Sequence, residues 1–210
     1  MDTDAVLPPQ TIDRLHRRAR FLAWATVGYN LLEAAASLVA AWYASSIALA
    51  GFGLDSVVES LSGLVVVWRL AGNTRNNIEE SERRERIALR LIGATFFIFA
   101  AYVMYESVMK LLAVEHPEPS VPGIIIALAS IIVMPVLYTL KFRTGTELGS
   151  RSIIADARET LACIYLSVSL LVGLAMNALF GLWWADPVTG LIVVVFLVRE
   201  GRETLAGSDD

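Results

Sequence analysis

The sequence predicts an all-α membrane protein, a bundle of six transmembrane helices with both termini in the cytoplasm. Hydrophobic residues make up 56% of the 210 residues, whereas ordinary soluble domains are about 45–50% apolar. The mean hydropathy is +0.59. The excess lies in long apolar runs, each close to the roughly 20 residues that cross the hydrocarbon core of a bilayer. Basic residues flank these runs in a pattern that alternates between the two sides of a membrane.

The apolar runs define the predicted helices in order: 20–43, 46–70, 87–113, 121–141, 150–180 and 186–205. The fifth run is long enough to tilt or to extend beyond the bilayer. The first residues are polar and hold no apolar core, so we expect no cleaved signal peptide and a first helix that acts as the insertion signal. The chain then divides into a cytoplasmic N-terminal segment (1–19), a transmembrane domain (20–205) and a C-terminal tail (206–210).

Positive charge predicts the orientation of the helices. Of the 17 Lys and Arg residues, all except Lys110 fall before the first helix, between helices two and three, between four and five, or at the end of the sixth. Basic residues accumulate in cytoplasmic loops, so this distribution places both termini inside. The charged segment 75–86 is accordingly expected to be a cytoplasmic helix or loop.

Several functions are disfavoured by the composition. The formal net charge of −4, without a basic patch interleaved with aromatic residues, argues against a nucleic-acid partner. Cys163 is the one cysteine, so no disulfide forms within the chain. No motif indicates an organic cofactor, and no nucleophile or water site indicates an enzyme.

Two pairs of metal-ligating side chains stand four residues apart inside apolar runs: Asp55 with Glu59, and Glu159 with Cys163. On a helix such residues share one face, with Cβ atoms about 5–6 Å apart. Each pair lies about nine and thirteen residues into its helix, and a rise of about 1.5 Å per residue brings both pairs near the midplane. If the two faces meet, they form a metal pocket of three carboxylates and one thiolate.

Further acidic residues lie within the predicted spans: Glu33, Glu106 and Asp156. An acidic residue at a helix centre costs about 2.5–3.5 kcal/mol on insertion scales, so such groups have partners or face an aqueous cavity. The spans offer almost no Lys, Arg or His, so we expect a metal ion or bound protons to supply the missing positive charge. Asp156 and Glu33 are additional candidate ligands. Glu33 and Glu106 equally fit protonated packing residues, and Cys163 fits a small buried side chain.

These features resemble the transmembrane domain of the cation diffusion facilitator family, over residues from about 20 to 205. The resemblance rests on three stretches, which match the second, fifth and sixth helices of that family: SIALAGFGLDSVVES, SRSIIADARETLACIYLS and ADPVTGLIV. The family's ligand pairs map onto Asp55 with Glu59 and onto Glu159 with Cys163. At the last two positions the family often has His or Asp instead.

The resemblance implies a homodimer that exports divalent cations, commonly zinc, in exchange for protons by alternating access. It implies localisation in the plasma membrane, the inner membrane of a bacterium. The family usually adds a cytoplasmic metal-binding domain that helps dimerisation. We expect no such domain in this chain, so a dimer is expected to use transmembrane surfaces.

The donor set favours a metal of intermediate softness. Oxygen ligands alone suit Mn²⁺ or Mg²⁺, while a thiolate draws the site toward Zn²⁺, Fe²⁺, Co²⁺ or Cd²⁺. Zn²⁺ accepts both ligand types at about 2.0–2.3 Å. Because the ligands must be deprotonated to bind, metal uptake is coupled to proton release. The alternative hypothesis is a non-transporting membrane metal sensor or scaffold, which keeps the site but moves no ions.

Overall fold

Six helices make up the structure, a computed structural model that describes residues 9–44, 47–71, 78–113 and 121–208. In chain order they are α1 (Pro9–Ala44), α2 (Ile47–Ala71), α3 (Ile78–Ala113), α4 (Val121–Leu148), α5 (Arg151–Phe180) and α6 (Ala185–Ala206). No strand occurs in these ranges. The prediction of an all-α bundle of six helices is therefore confirmed. The proposed limits of the N-terminal segment and of the tail stay predictions, and parts of both (1–8 and 209–210) lie outside the described residues.

Four helices in the described ranges contain stretches long and apolar enough to cross a membrane: Gly51–Ala71, Glu79–Ala113, Val121–Leu148 and Arg151–Asn177. α1 and α6 are not among them, because polar and charged residues interrupt their apolar runs. Large apolar side chains nevertheless point outward on α1, among them Phe21 (72% exposed) and Leu32 (74%). An apolar outer surface of this kind is what a helix in contact with lipid presents.

The helices extend beyond the predicted apolar runs at several ends. α1 already begins at Pro9, and proline suits the first turn of a helix because its missing N–H is not needed there. α3 begins at Ile78, so the described part of the charged segment 75–86 is helical, whereas its residues 75–77 lie outside the described ranges. α4 continues to Leu148. This last extension places Lys141 inside a helix and not in a loop.

Three helix pairs carry most of the packing: α1 with α2, α3 with α6, and α4 with α5. α5 also contacts α2, α3 and α6, so it lies at the centre of the bundle. The apolar core gathers side chains of α1, α2, α3, α5 and α6, and its largest fully buried members include Phe96, Ile92, Leu197 and Ile153. A buried polar region lies next to this core, where α2 faces α5.

A tight connection reverses the chain between α4 and α5. Gly149 adopts a left-handed backbone, with φ +63°, which glycine accepts without steric cost. Ser150 then caps α5, because its side chain accepts a hydrogen bond from the Ile153 amide. On α4, a Cβ atom at Gly145 would lie 2.9 Å from Ile154 Cγ1. The two helices therefore approach closely, and the hairpin fixes which residues of α4 face α5.

Glu85 of α3 holds three helix ends together. Its carboxylate accepts hydrogen bonds from the Ser150 hydroxyl (3.0 Å), the Ser152 amide (2.8 Å) and the Ser152 hydroxyl (2.8 Å). It also forms an ion pair with Arg69 near the end of α2. These contacts fix the last turn of α2, the first turns of α3 and the start of α5 relative to one another.

Candidate metal site

α2 buries a polar face in the middle of its length. Asp55 (3% exposed) and Glu59 (1%) lie on it together with Ser56 and Ser60. These side chains are buried because α2 packs on α1, α3 and α5. The predicted pair of α2 therefore faces the interior of the bundle, as ionisable residues within a membrane almost always do.

α5 presents a matching polar face. Asp156 (1% exposed), Glu159 (2%), Thr160 (0%) and Cys163 (0%) are all buried on it. Because α5 contacts α2 directly, the two faces form one buried region. We call this region the polar centre and define it as Asp55, Glu59, Asp156, Glu159 and Cys163.

The side chains of the polar centre lie close to one another. Asp55 is within hydrogen-bonding reach of Cys163, and its carboxylate lies within electrostatic range of Glu59, Glu159 and Glu33. The Cys163 sulfur also lies 3.7 Å from the hydroxyl of a serine on α4. The four predicted ligands are thus neighbours, as the depth argument from the sequence expects.

The predicted ligands do not converge on a single point in this conformation. Among the residues that the structure describes, no three His, Cys, Asp or Glu side chains are arranged so that they could hold one metal ion. The ligand assignment of Asp55, Glu59, Glu159 and Cys163 therefore stays a prediction. A metal site made of these residues would require their side chains to be rearranged.

Several buried oxygen atoms of the polar centre accept no hydrogen bond from the described part of the chain. They are Oδ2 of Asp55, Oε2 of Glu59 and both carboxylate oxygens of Glu159. Buried polar groups are normally hydrogen-bonded, and leaving one unpaired is costly. These oxygens are consequently suited to accept a cation, a proton or water.

Asp156 already has a counter-charge, which the sequence reasoning did not expect. Lys141 of α4 is buried (1% exposed), and its Nζ lies 2.6 Å from Asp156 Oδ2. Although Oδ2 accepts no well-directed hydrogen bond among the described residues, this ion pair supplies its counter-charge. The expectation that the buried carboxylates lack protein cations was therefore wrong for Glu106, whose Oε1 lies 3.1 Å from Lys110 Nζ, and for Asp156. The physical reason is that α4 continues past Lys141 and points this side chain at α5.

A chain of hydrogen bonds leads from Lys141 to the polar centre. Its Nζ donates to the Thr160 hydroxyl (2.9 Å), and that hydroxyl donates to Glu59 Oε1 (2.6 Å). On the other side, the Ser62 hydroxyl donates to Asp156 Oδ1 (3.1 Å). One oxygen of Glu59 is thus held in place while the other is unpaired. Asp156, in contrast, is engaged through both oxygens and is less suited to act as an additional ligand.

Glu33, the other additional candidate, lies on α1 beside the polar centre. Its carboxylate accepts hydrogen bonds from the Ser56 hydroxyl (2.9 Å) and the Tyr29 hydroxyl (3.2 Å). One turn earlier, Asn30 is fully buried. Its amide lies near Glu59 but makes no well-formed hydrogen bond within the described ranges. Glu33 is therefore partnered by hydroxyls, while Asn30 is a polar group that the sequence reasoning missed.

The sequence indicates the roles of Asn30, Thr160 and Lys141 to different degrees. Asn30 stands within an apolar run, one turn before Glu33, and that spacing could have placed it on the same face. Thr160 directly follows Glu159, but a threonine in a membrane helix most often bonds to its own backbone. Lys141 lies at the end of an apolar run, where a lysine commonly extends to the membrane surface. Only the packing of α4 on α5 reveals its buried position.

Comparison with known proteins gives one family. Residues 23–208 match the family described as the cation efflux transmembrane domain. Transmembrane protein 163 of Xenopus laevis is 23% identical over 208 residues, which cover 98% of this chain and 72% of that protein. An uncharacterized transporter of Synechocystis is 27% identical over 202 residues (92% and 65%). Magnetosome protein MamB of Paramagnetospirillum magneticum is 29% identical over 122 residues (58% and 41%). The chain thus spans slightly less than two thirds of the second relative and less than half of the third.

Proposed function

The chain belongs to the cation efflux family, a family of metal cation transporters, and we propose that it carries a divalent cation through the polar centre between α2 and α5. The observation that carries this proposal is the set of buried, unpaired oxygens of Asp55, Glu59 and Glu159 next to the Cys163 thiol. Carboxylates buried in a membrane need a compensating positive charge. A metal ion that arrives and leaves supplies this charge reversibly.

The packing supports a movement that would close the site. α2 contacts α5 less extensively than it contacts α1, and α5 contacts α2 less extensively than it contacts α4. The α2–α5 contact is therefore one of the weaker contacts of the bundle, and the α1–α2 and α4–α5 pairs are also joined where α1 contacts α4. A small approach of these pairs would bring Asp55 and Glu59 onto one metal ion with Glu159 and Cys163. The reverse movement, opening to one side or the other, is the alternating access that we propose.

We propose zinc as the transported metal and protons as the exchanged ions. Three carboxylates and a thiolate suit Zn²⁺, with Fe²⁺, Co²⁺, Cd²⁺ and Mn²⁺ as competitors. The carboxylates and the thiol must lose their protons to bind metal. Each metal bound would therefore release protons, and each metal released would allow the ligands to be protonated again.

We also propose an orientation in the membrane and a dimeric assembly. Both termini lie in the cytoplasm, as the distribution of basic residues indicates, and the protein acts in the plasma membrane as a homodimer through transmembrane surfaces. Export from the cytoplasm is the proposed direction.

Flux through purified protein in proteoliposomes tests this function. A zinc-sensitive dye and a pH-sensitive dye inside the vesicles should report zinc entering while protons leave. Asp55→Asn should abolish the zinc flux, because it removes a carboxylate that nothing in the chain replaces. Glu147→Gln is the matched control, since Glu147 is an exposed carboxylate near the end of α4, and it should transport like the unmodified protein.

Three results would each correct the proposal differently. Unchanged flux in Asp55→Asn would refute the site. Zinc flux that ignores an imposed pH gradient would refute the proton exchange. Stoichiometric zinc binding without any flux, in protein that is folded and inserted, would favour a metal sensor or scaffold instead.

A further inference from the structure

A cavity of about 80 Å³ lies beside the polar centre, and Asp55 is one of its lining residues. The other lining residues belong to the first turns of α2, the last turns of α3, the second half of α5 and the first turns of α6. All of these parts lie toward the end of the bundle where α5 connects to α6, which we call the α5–α6 end. The volume is sufficient for several water molecules. The cavity therefore extends from Asp55 toward one side of the membrane.

α3 contributes a polar stripe to this cavity. Tyr102, Glu106 and Lys110 line it at four-residue intervals, which places them on one helix face. The Lys110 Nζ lies 3.1 Å from Glu106 Oε1. The Tyr102 hydroxyl lies beside the Glu106 carboxylate, since both flank Gly51, and it lies within electrostatic range of Asp55. The stripe therefore leads from Lys110, nearest the α5–α6 end, inward to Asp55.

Gly51 allows the stripe to lie directly against α2. A Cβ atom at Gly51 would collide with the Tyr102 hydroxyl and would lie 2.7 Å from Glu106 Oε2. Gly51 precedes Asp55 by four residues, which is about 6 Å along a helix. The Glu106 carboxylate consequently stands about one helical turn from Asp55, on the side of the cavity.

We propose that Glu106 is a transit ligand, which binds the divalent cation on its way between the α5–α6 end and Asp55, and that Lys110 is the counter-ion that the cation displaces. This inference rests on the proposed transport function. Asp55 is 3% exposed, lines the cavity and has an oxygen without a partner in the described ranges. The cavity thus leads to a group that is ready to receive a cation.

The charges of Lys110 and Glu106 explain how a cation would displace the lysine from the carboxylate. The side chains of Lys110 and Glu106 are 19% and 17% exposed, so both are partly accessible from outside the bundle. A divalent cation attracts the carboxylate more strongly than a monovalent ammonium does at the same distance, and it repels the ammonium. The carboxylate then passes the cation to Asp55, and Lys110 pairs with Glu106 again behind it.

Amine labelling tests the displacement of Lys110 directly. The chain contains two lysines, Lys110 and Lys141, so the sites are easily separated by mass spectrometry. In detergent-solubilised protein at constant pH, saturating Zn²⁺ should raise the labelling rate of Lys110 several-fold. Lys141 is buried in its ion pair with Asp156 and serves as the internal control, with labelling that stays slow. In Glu106→Gln, the labelling rate of Lys110 should no longer depend on zinc.

Flux measurements then test the role in transport. Glu106→Gln should lower the initial zinc flux roughly tenfold, the loss expected when a group that supports metal coordination is removed. Equilibrium zinc binding at the polar centre should stay within about twofold of the unmodified protein, because Asp55 and its neighbours are intact. Lys110→Gln should lower the zinc concentration that gives half-maximal flux, since no ammonium has to be displaced. Glu147→Gln is again the matched control.

The outcomes separate this inference from the proposed function. Normal zinc flux in Glu106→Gln, together with Lys110 labelling that ignores zinc, would overturn the transit ligand while leaving transport intact. Zinc-dependent labelling of Lys110 in a protein that moves no zinc would support the binding step and refute transport. Equal losses of thermal stability in Glu106→Gln and Lys110→Gln, restored in the double variant and without any change in flux, would show a purely structural ion pair.

Discussion

Two neighbouring parts of the polar centre differ in how their charges are compensated. On the side of α4, Asp156 is paired with Lys141 and accepts a hydrogen bond from Ser62. On the side that faces α2, Asp55 of α2 and Glu159 of α5 have oxygens that accept no hydrogen bond from the described residues. Burial is nearly complete on both sides. The difference therefore lies in the partners and not in the environment.

Under the proposed function, this contrast separates the acidic group that stabilises the structure from those that would bind a cation. A buried ion pair with well-placed hydrogen bonds holds helices in register, because breaking it leaves a charge without compensation. A buried carboxylate oxygen without a partner lowers stability, and such costly groups are concentrated at functional sites. Thr160 connects the two sides, since it accepts a hydrogen bond from Lys141 and donates one to Glu59.

The largest effect is expected on the uncompensated side. Glu159→Gln should abolish zinc binding, because it removes a carboxylate with two available oxygens. The same change should leave the thermal midpoint in detergent unchanged or higher, since a neutral amide is less costly to bury than an unpaired carboxylate. Isothermal titration with zinc and a thermal-shift assay measure the two effects. A large fall in the midpoint would mean that Glu159 has a structural partner.

Disrupting the ion pair between Lys141 and Asp156 should, in contrast, lower the stability of the protein. Lys141→Met leaves Asp156 buried without its counter-charge and should reduce the free energy of unfolding by roughly 3–5 kcal/mol. The double variant Lys141→Met with Asp156→Asn should recover most of this loss. Arg143→Met, two residues away on the exposed side of α4, is the matched control. If Lys141→Met unfolded in detergent at the same temperature as the unmodified protein, the structural role of the ion pair between Lys141 and Asp156 would be contradicted.

The residue between the two sides should have an intermediate effect. Thr160→Val keeps the shape of the side chain but removes the hydroxyl that holds Glu59 Oε1. We expect zinc affinity to fall roughly tenfold, as for other groups that orient a metal ligand. Thr160→Ser should restore the affinity, because it returns the hydroxyl. If both variants change the thermal midpoint equally and neither changes affinity, Thr160 acts only in packing.

The smallest effect is expected at Cys163 and concerns metal preference. Cys163→Ser should weaken Zn²⁺ and Cd²⁺ more than Mn²⁺, because a hydroxyl is a poor substitute for a thiolate with softer ions. Bound zinc should also slow alkylation of the thiol in the unmodified protein. An unchanged metal preference, with alkylation that ignores zinc, would identify Cys163 as a packing residue against the α4 serine 3.7 Å away.

Much of the fold follows from the sequence, for identifiable reasons. Each apolar run became a helix, because a chain in a membrane must satisfy its backbone hydrogen bonds within the segment. The four-residue spacing of Asp55 with Glu59, and of Glu159 with Cys163, places each pair on one face by helix geometry alone. Similar depth then makes the pairs neighbours wherever α2 meets α5. These inferences need only local periodicity and length.

The compensation of charge could not be predicted from the sequence, because it depends on contacts between distant segments. The sequence FRTGTEL after Lys141 is polar and contains a glycine, which favours the end of a helix there. α4 continues instead, since Gly145 packs closely on Ile154. The arrangement of the ligands around one point likewise depends on how α2 packs on α5, which the spacing of residues along each helix does not encode.

The packing of α6 on α3 has a consequence for biosynthesis. α4 and α5 separate these two helices in the sequence, yet Gly93 lies against Leu205 and Gly201 against Phe96 along their contact. α6 is not among the helices of the described ranges that are apolar enough to cross a membrane on their own. During synthesis α3 leaves the ribosome well before α6, and the face of α3 around Gly93 and Phe96 then contacts lipid or the insertion machinery. Stable insertion of α6 should therefore depend on a helix made much earlier, so that the bundle is completed by recruitment of α6 to α3.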